Sequence, residues 1–232
     1  MKLKNVVSVI LMAVMAVTPA FAFNRVKTKA KQHAAMHVIV MVDKDADGNF
    51  HGGLCTAYAV GPHTLLTAEH CNDAKTNAVF IDNTDKAAIK DGKAMSYTVT
   101  DRVFDHQDHM LMDVSAVYFK DTIPMDWRTP VQGEHTYQWG NPGGMRDQYR
   151  EGVVMGMIPP LPQDPEDEEK IDATAPIWLI AEPVVGGDSG SAIFSANDGR
   201  MIGVLTYGID NGQMAGMYEI KFTPEQIQES LK

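Results

Sequence analysis

The 232-residue chain has only two cysteines, Cys55 and Cys71, and no apolar run long enough to cross a membrane after its first two dozen residues. It is short of basic charge: 20 Lys and Arg stand against 30 Asp and Glu, for a net charge of −10. That balance argues against nucleic acid and anionic membrane surfaces as partners. The scarcity of cysteine excludes a disulfide-dense miniature fold and leaves a core to do the work. Amphipathic 3.6-residue periodicity is nearly absent, which excludes a helical bundle and alternating βα units. No internal repeat is visible.

What is present begins with an export pattern. Lys2 and Lys4 precede an apolar run from Val6 to Val17, closed by Pro19, and Ala20-Phe21-Ala22 offers small residues for cleavage. Residues 1–22 are thus expected to be a signal peptide and the mature protein secreted or periplasmic, with a mature charge of −12. In that oxidising setting Cys55 and Cys71 are expected to pair with each other, two free thiols being the alternative. The bridge would close a loop of about sixteen residues, worth roughly 3 kcal/mol.

A basic tail (23–33) leads into short β-rich runs separated by turns. These are Val38–Val42, Leu54–Val60, Leu65–Thr67, Val79–Ile81, Tyr97–Val99, Val114–Phe119, Tyr137–Trp139, Val153–Ile158, Ile177–Ile180, Ala192–Phe194, Ile202–Tyr207 and Met217–Lys221. A dozen short strands at this spacing predict an all-β sandwich or barrel. One helix is expected, at the C-terminus: Thr223 as N-cap, Pro224 at the first helical position and Gln226 completing a capping box. The segment from Pro159 to Pro176, rich in proline and acid, reads as a solvated insertion between strands.

Three stretches carry chemistry. His70 directly precedes Cys71, so a bridge to Cys55 would restrain an imidazole as general-base work requires. Asp113 heads the apolar run Val114–Phe119, and a carboxylate entering a core needs a hydrogen-bonding partner such as a histidine Nδ1–H. Asp105 and Asp108 compete for that role but are followed by His and Gln or His, so Asp113 is preferred. Gly187-Asp188-Ser189-Gly190 is by itself a tight-turn sequence.

Taken in order, Thr67-Ala68-Glu69-His70-Cys71, Asp113-Val114-Ser115-Ala116-Val117 and Gly187-Asp188-Ser189-Gly190 resemble the chymotrypsin/trypsin-like serine peptidase family. Gly203-Val204-Leu205-Thr206-Tyr207-Gly208 and Gly216-Met217-Tyr218 extend the resemblance over about residues 34–232. It implies two six-stranded antiparallel β-barrels with a C-terminal helix, divided at about residues 34–125 and 126–232. It implies a triad of His70, Asp113 and Ser189, and an oxyanion hole from the backbone N–H groups of Gly187 and Ser189. Thr206, Tyr207, Gly208, Gly216 and Pro183 would line the substrate pocket. The implied activity is a secreted endopeptidase acting on protein or peptide, monomeric, with no cofactor or metal. Alternatives are an inactive binding protein on the same fold and a hydrolase acting mainly on esters. The elbow of α/β-hydrolases fits poorly, since Ser191 stands where its final glycine belongs.

Three departures from the family stand out. No Ile-Val-Gly-Gly terminus exists to supply an amine for Asp188, so either signal removal alone matures the enzyme or Asp188 has another partner. Pro183 replaces the acid that selects Lys or Arg, which implies an apolar or uncharged residue before the cleaved bond. Glu69 replaces a small residue before the histidine. Two metal patterns are weighed and set aside: Asp43–Asn49, which lacks an acid at the last calcium-loop position, and His106 and His109 with Asp105 and Asp108.

Overall fold

The computed structural model describes residues 25–44, 50–72, 78–81, 96–160, 175–209 and 211–231. The expected signal peptide, most of the Asp43–Asn49 turn and most of the acidic insertion lie outside the described residues.

Residues 25–34 form helix α1. Seven strands follow: β1 (Met36–Lys44), β2 (Phe50–Ala59), β3 (Thr64–Ala68), β4 (Ala78–Ile81), β5 (Ser96–Thr98), β6 (Asp101–Phe104) and β7 (His109–Asp113). They pair in the order β5-β4-β1-β2-β3-β7-β6 as one curled sheet. The second unit holds β8 (His135–Gly140), β9 (Gln148–Ile158), β10 (Ile177–Ile180), β11 (Ala192–Ser195), β12 (Met201–Ile209) and β13 (Met214–Tyr218). These close into a six-stranded barrel, β10-β13-β12-β11-β8-β9. Helix α2 (Pro224–Ser230) ends the fold.

The all-β class with two β units and a C-terminal helix matches the expectation. Among the described residues the first unit is a seven-stranded curled sheet, a half-barrel where a closed six-stranded barrel was expected. All five residues of β3 are buried, because β3 is a central strand covered on both faces. One apolar core fills the first sheet and continues through Tyr137, Trp139 and Phe194 into the second unit. A smaller core, including Trp178, Ile193, Leu205 and Met217, fills the barrel. Between the units Tyr58 packs edge-on to Phe194 and donates its hydroxyl to Trp139 O at 2.9 Å.

Helix α2 has the expected capping box between Thr223 and Gln226. It returns to the first sheet, where Gln226 Nε2 donates to Phe104 O at 3.1 Å and Thr64 Oγ1 donates to Ser230 O. Helix α1 was not expected, since RVKTKAKQHA has no apolar stripe. Tertiary contacts hold it instead: the Lys29 ammonium lies 4.3 Å from the Tyr137 ring centre, and Gln32 bridges Gly199 O and the Tyr137 hydroxyl.

The expected strand Val114–Phe119 is not a strand. Its backbone turns, bonding Val114 N to His63 O and Phe119 N to Pro62 O; Val114, Val117 and Phe119 are buried in that turn, while Ala116 and Tyr118 face solvent. The strand of this region lies five residues earlier, at β7. That displacement decides the identity of the site's acid.

Candidate active site

β3 delivers His70. Beyond Ala68 the chain makes one tight turn through Glu69–Cys71, and a Cys55–Cys71 disulfide ties that turn to β2, as the cysteine reading required. In the β3–β7 ladder Ala68 faces His109, and Thr64 faces Asp113. The residue just before β7 is therefore beside His70, while Asp113 sits four rungs away, roughly 13 Å along the strand.

The acid at His70 is accordingly Asp108, not Asp113. His70 Nδ1 lies 2.8 Å from Asp108 Oδ2, and His70 N donates to Asp108 Oδ1 at 2.9 Å. The Asp108 carbonyl also accepts from Glu69 N at 3.1 Å. Asp108 is completely buried, whereas the His70 ring keeps 26% of its surface exposed. Asp113 instead accepts a hydrogen bond from Thr100 Oγ1. The expectation that a strand-leading carboxylate needs a histidine holds, but the strand it leads is β7.

The loop carrying Asp108 is held from below. Asp105 Oδ1 accepts from Gln107 N and His109 N, and its Oδ2 accepts from Lys221 N and contacts His109 Nδ1 at 2.7 Å. These bonds maintain positive φ at His106 (58°) and Asp108 (59°), a conformation rare outside glycine. Asp105 and His109, weighed as metal ligands, thus bond each other, and no group of three or more His, Cys, Asp or Glu among the described residues is placed to hold a metal.

The turn bearing Ser189 lies against the same strands. Thr56, next to Cys55, donates its N–H to Ser189 O at 2.8 Å and its hydroxyl to Gly187 O at 2.9 Å. One two-residue stretch of β2 therefore tethers the histidine turn through sulfur and the serine turn through hydrogen bonds. Gly190 has φ +85°, and a Cβ there would lie 2.0 Å from Thr56 O and 3.2 Å from Ala68 N. Only glycine lets this turn press onto the end of β3, two residues before His70.

At Gly187 φ is +99°, and a Cβ would meet the Asn141 carbonyl at 2.5 Å. The Gly186 carbonyl accepts from Gly143 N at 2.7 Å, and the trans peptide sends the Gly187 N–H the opposite way. Among the described residues neither Gly187 N nor Ser189 N has an acceptor, so two donors flank the half-buried Ser189 unengaged.

Asp188, whose partner the sequence did not reveal, is fully buried in a fork-to-fork pair with Arg150 of β9. The pocket residues expected from the sequence fall together. Tyr207 faces Gly216 across the β12–β13 ladder, Thr206 Oγ1 donates to Gly216 O at 3.3 Å, and Val184 N donates to Gly212 O. The space above Gly216 is bordered by apolar atoms of Ile177, Ile209 and Tyr207, and that above Gly208 by the Val184 side chain and the Gly212 backbone. Pro183 offers only its carbonyl inward, to Arg150 at 3.0 Å.

Glu182 turns into the barrel, where Gln138 donates to one oxygen and the other has no partner among the described residues. Burial pushes its carboxyl up to about 7; Arg150 and Gln138 pull it back and Asp188 adds to the rise. An acid raised on folding binds more protons folded than unfolded. Its contribution is therefore full below about 4.5, its ordinary value, and is lost as pH climbs through about 7. Glu182→Gln is expected to flatten this decline, by about 2 kcal/mol between pH 5 and pH 8. Urea unfolding at the two pH values measures it, and parallel losses in wild type and variant would contradict it.

A curled β sheet carrying a histidine–carboxylate pair, set against a closed barrel whose glycine-flanked serine turn holds unengaged N–H donors, defines a chain of the two-β-unit peptidase class. Residues 55–204 match the family model for the trypsin-like peptidase domain, and the chain belongs to that family. An 80-residue segment is 34% identical to the "Serine protease HtrA-like" proteins of two Staphylococcus epidermidis strains; it covers 34% of this chain and 14% of theirs. Among solved structures, the active form of the Rv3671c protease from M. tuberculosis is similar, with a TM-score of 0.63 at 18% identity. That similarity covers 88% of this chain and 82% of the other. The inactive form of the same protease gives 0.61 at 17%, over 88% and 90%. At these identities the structural likeness speaks for the fold.

Proposed function

We propose that this chain is an exported serine endopeptidase that cleaves protein or peptide substrates through an acyl-enzyme on Ser189. The observation that carries the reading is the His70–Asp108 pair, a half-exposed imidazole fixed by a buried carboxylate beside the Gly187–Ser189 turn. With Nδ1–H held by Asp108, Nε2 of His70 acts as the base and takes the Ser189 proton as its oxygen attacks the scissile carbonyl. The carbonyl oxygen gains negative charge and is received by the N–H groups of Gly187 and Ser189. The imidazolium, stabilised by Asp108, then gives its proton to the departing amine. Water repeats the sequence to release the acid and restore Ser189.

The apolar border of Val184, Ile177 and Ile209, with proline at position 183, supports an apolar or uncharged residue before the cleaved bond. The charged n-region, apolar run and small residues of 1–22 support export. Labelling with a fluorophosphonate probe tests the nucleophile: wild-type protein is expected to be labelled and Ser189→Ala to remain unlabelled. Absence of Ser189-dependent labelling would reject the assignment in favour of a binding protein. Labelling with ester turnover but no cleavage across a peptide library would favour the esterase.

A further inference from the structure

The Asp188 carboxylate has no access to water, and among the described residues it meets a single cation, the guanidinium of Arg150. Arg150 Nη1 donates to Asp188 Oδ2 at 2.6 Å and to Pro183 O at 3.0 Å, while Nη2 donates to Asp188 Oδ1. Its Nε stands 3.5 Å from Glu182 Oε1. The same carboxylate accepts from Val185 N at 3.0 Å, and Asp188 O accepts from Ser191 N at 2.9 Å. Asp188 therefore closes the turn on both sides of Gly187, and Arg150 holds Asp188 and the strand entering the turn with one fork.

We propose that Arg150 is the internal counter-ion that positions the nucleophile turn, so that the turn is set from within the folded chain and needs no newly cleaved N-terminal amine. The inference rests on the peptidase reading of Ser189. Its physical basis is the cost of an unpaired buried carboxylate, which is relieved only by pairing or by turning to water. Without Arg150, Asp188 is driven outward, and Gly187 can rotate its peptide because glycine tolerates both signs of φ. The two N–H donors then no longer converge on one point. A lysine cannot replace the fork, since one ammonium does not span two carboxylate oxygens and the Pro183 carbonyl in the same plane.

The test compares fluorophosphonate labelling and ester turnover in wild type, Arg150→Ala, Arg150→Lys and a chain extended ahead of residue 23. Arg128→Ala, which removes a guanidinium paired to Glu134 and Asp198, is the stability control. Arg150→Ala is expected to lower kcat and labelling about 10²-fold with KM nearly unchanged, the loss of an aligned oxyanion donor. Guanidinium below its denaturing range should restore part of it, Arg150→Lys should recover little, and Arg128→Ala should label at the wild-type rate. The extended chain should label as fast as the processed one, an arm that does not depend on any variant folding. Full-rate labelling of Arg150→Ala, or labelling of the extended chain only after its N-terminus is cut, would overturn the inference alone. An unlabelled wild type would remove the peptidase reading and this inference with it.

Discussion

Asp108→Asn is expected to lower kcat by about 10⁴-fold while Asp113→Asn leaves it within about twofold. The asymmetry follows from where each carboxylate lies. Asp108 Oδ2 is 2.8 Å from His70 Nδ1 and has no exposed surface. An amide in its place can present N–H to the ring, so the imidazole turns its lone pair toward residue 108 and its proton toward Ser189. The nucleophile then faces a donor where it needs an acceptor, and the imidazolium formed in the reaction loses its neutralising charge. Asp113 bonds Thr100 at the far end of β7, and losing that contact alters one exposed hydrogen bond. Ester turnover by the two variants, with their melting temperatures, is the measurement. Comparable losses would show that the acid is not chosen by contact with His70, and a larger loss at Asp113 would reverse the assignment.

Gly187→Ala should cost 10²- to 10³-fold in kcat, about 2.7–4 kcal/mol of transition-state stabilisation. With φ at +99° and the Asn141 carbonyl 2.5 Å from the new methyl group, the backbone must move, because both clashing partners are rigid. The easiest movement rotates the peptide that carries the Gly187 N–H and removes one of two donors. Gly186→Ala is the matched control: a Cβ there meets nothing within 4 Å, and turnover should persist. Equal loss in both variants would mean that general loosening of the turn, and not the direction of one N–H, limits the reaction. Binding of substrate should change less than its conversion, since the donor is stronger toward the charged intermediate than toward the neutral carbonyl.

Much of this was legible in the order of residues along the chain. Short β-rich runs between turns gave the all-β class, Thr223-Pro224-Glu225-Gln226 gave the capped helix, and two cysteines in a chain with an export pattern gave the bridge. His70 beside Cys71 and Ser189 between glycines also stand in the sequence as they stand in the site. Each is a local signal: a period, a cap, a turn composition, a neighbour at one bond's remove.

The acid was misplaced because an apolar run does not say where a strand begins. His109-Met110-Leu111-Met112-Asp113 and Val114–Phe119 are both apolar enough to be read as strands, and both send side chains into the core; pairing with β3 makes only the first a strand. The buried His109 broke the apolar pattern and concealed that strand's start, because its partner Asp105 is visible only once the loop is folded. Arg150 could not be read at all. Fork pairing to Asp188, 38 residues away, requires β9 to close the barrel beside the serine turn. Helix α1 forms without an apolar stripe because barrel aromatics receive its lysine. The sequence by itself therefore determined the β architecture, the bridge and the residues whose neighbours along the chain betray them. Tertiary structure alone decided which carboxylate holds His70 and which cation holds Asp188, because buried charges are selected by distance in space, and strand register sets that distance.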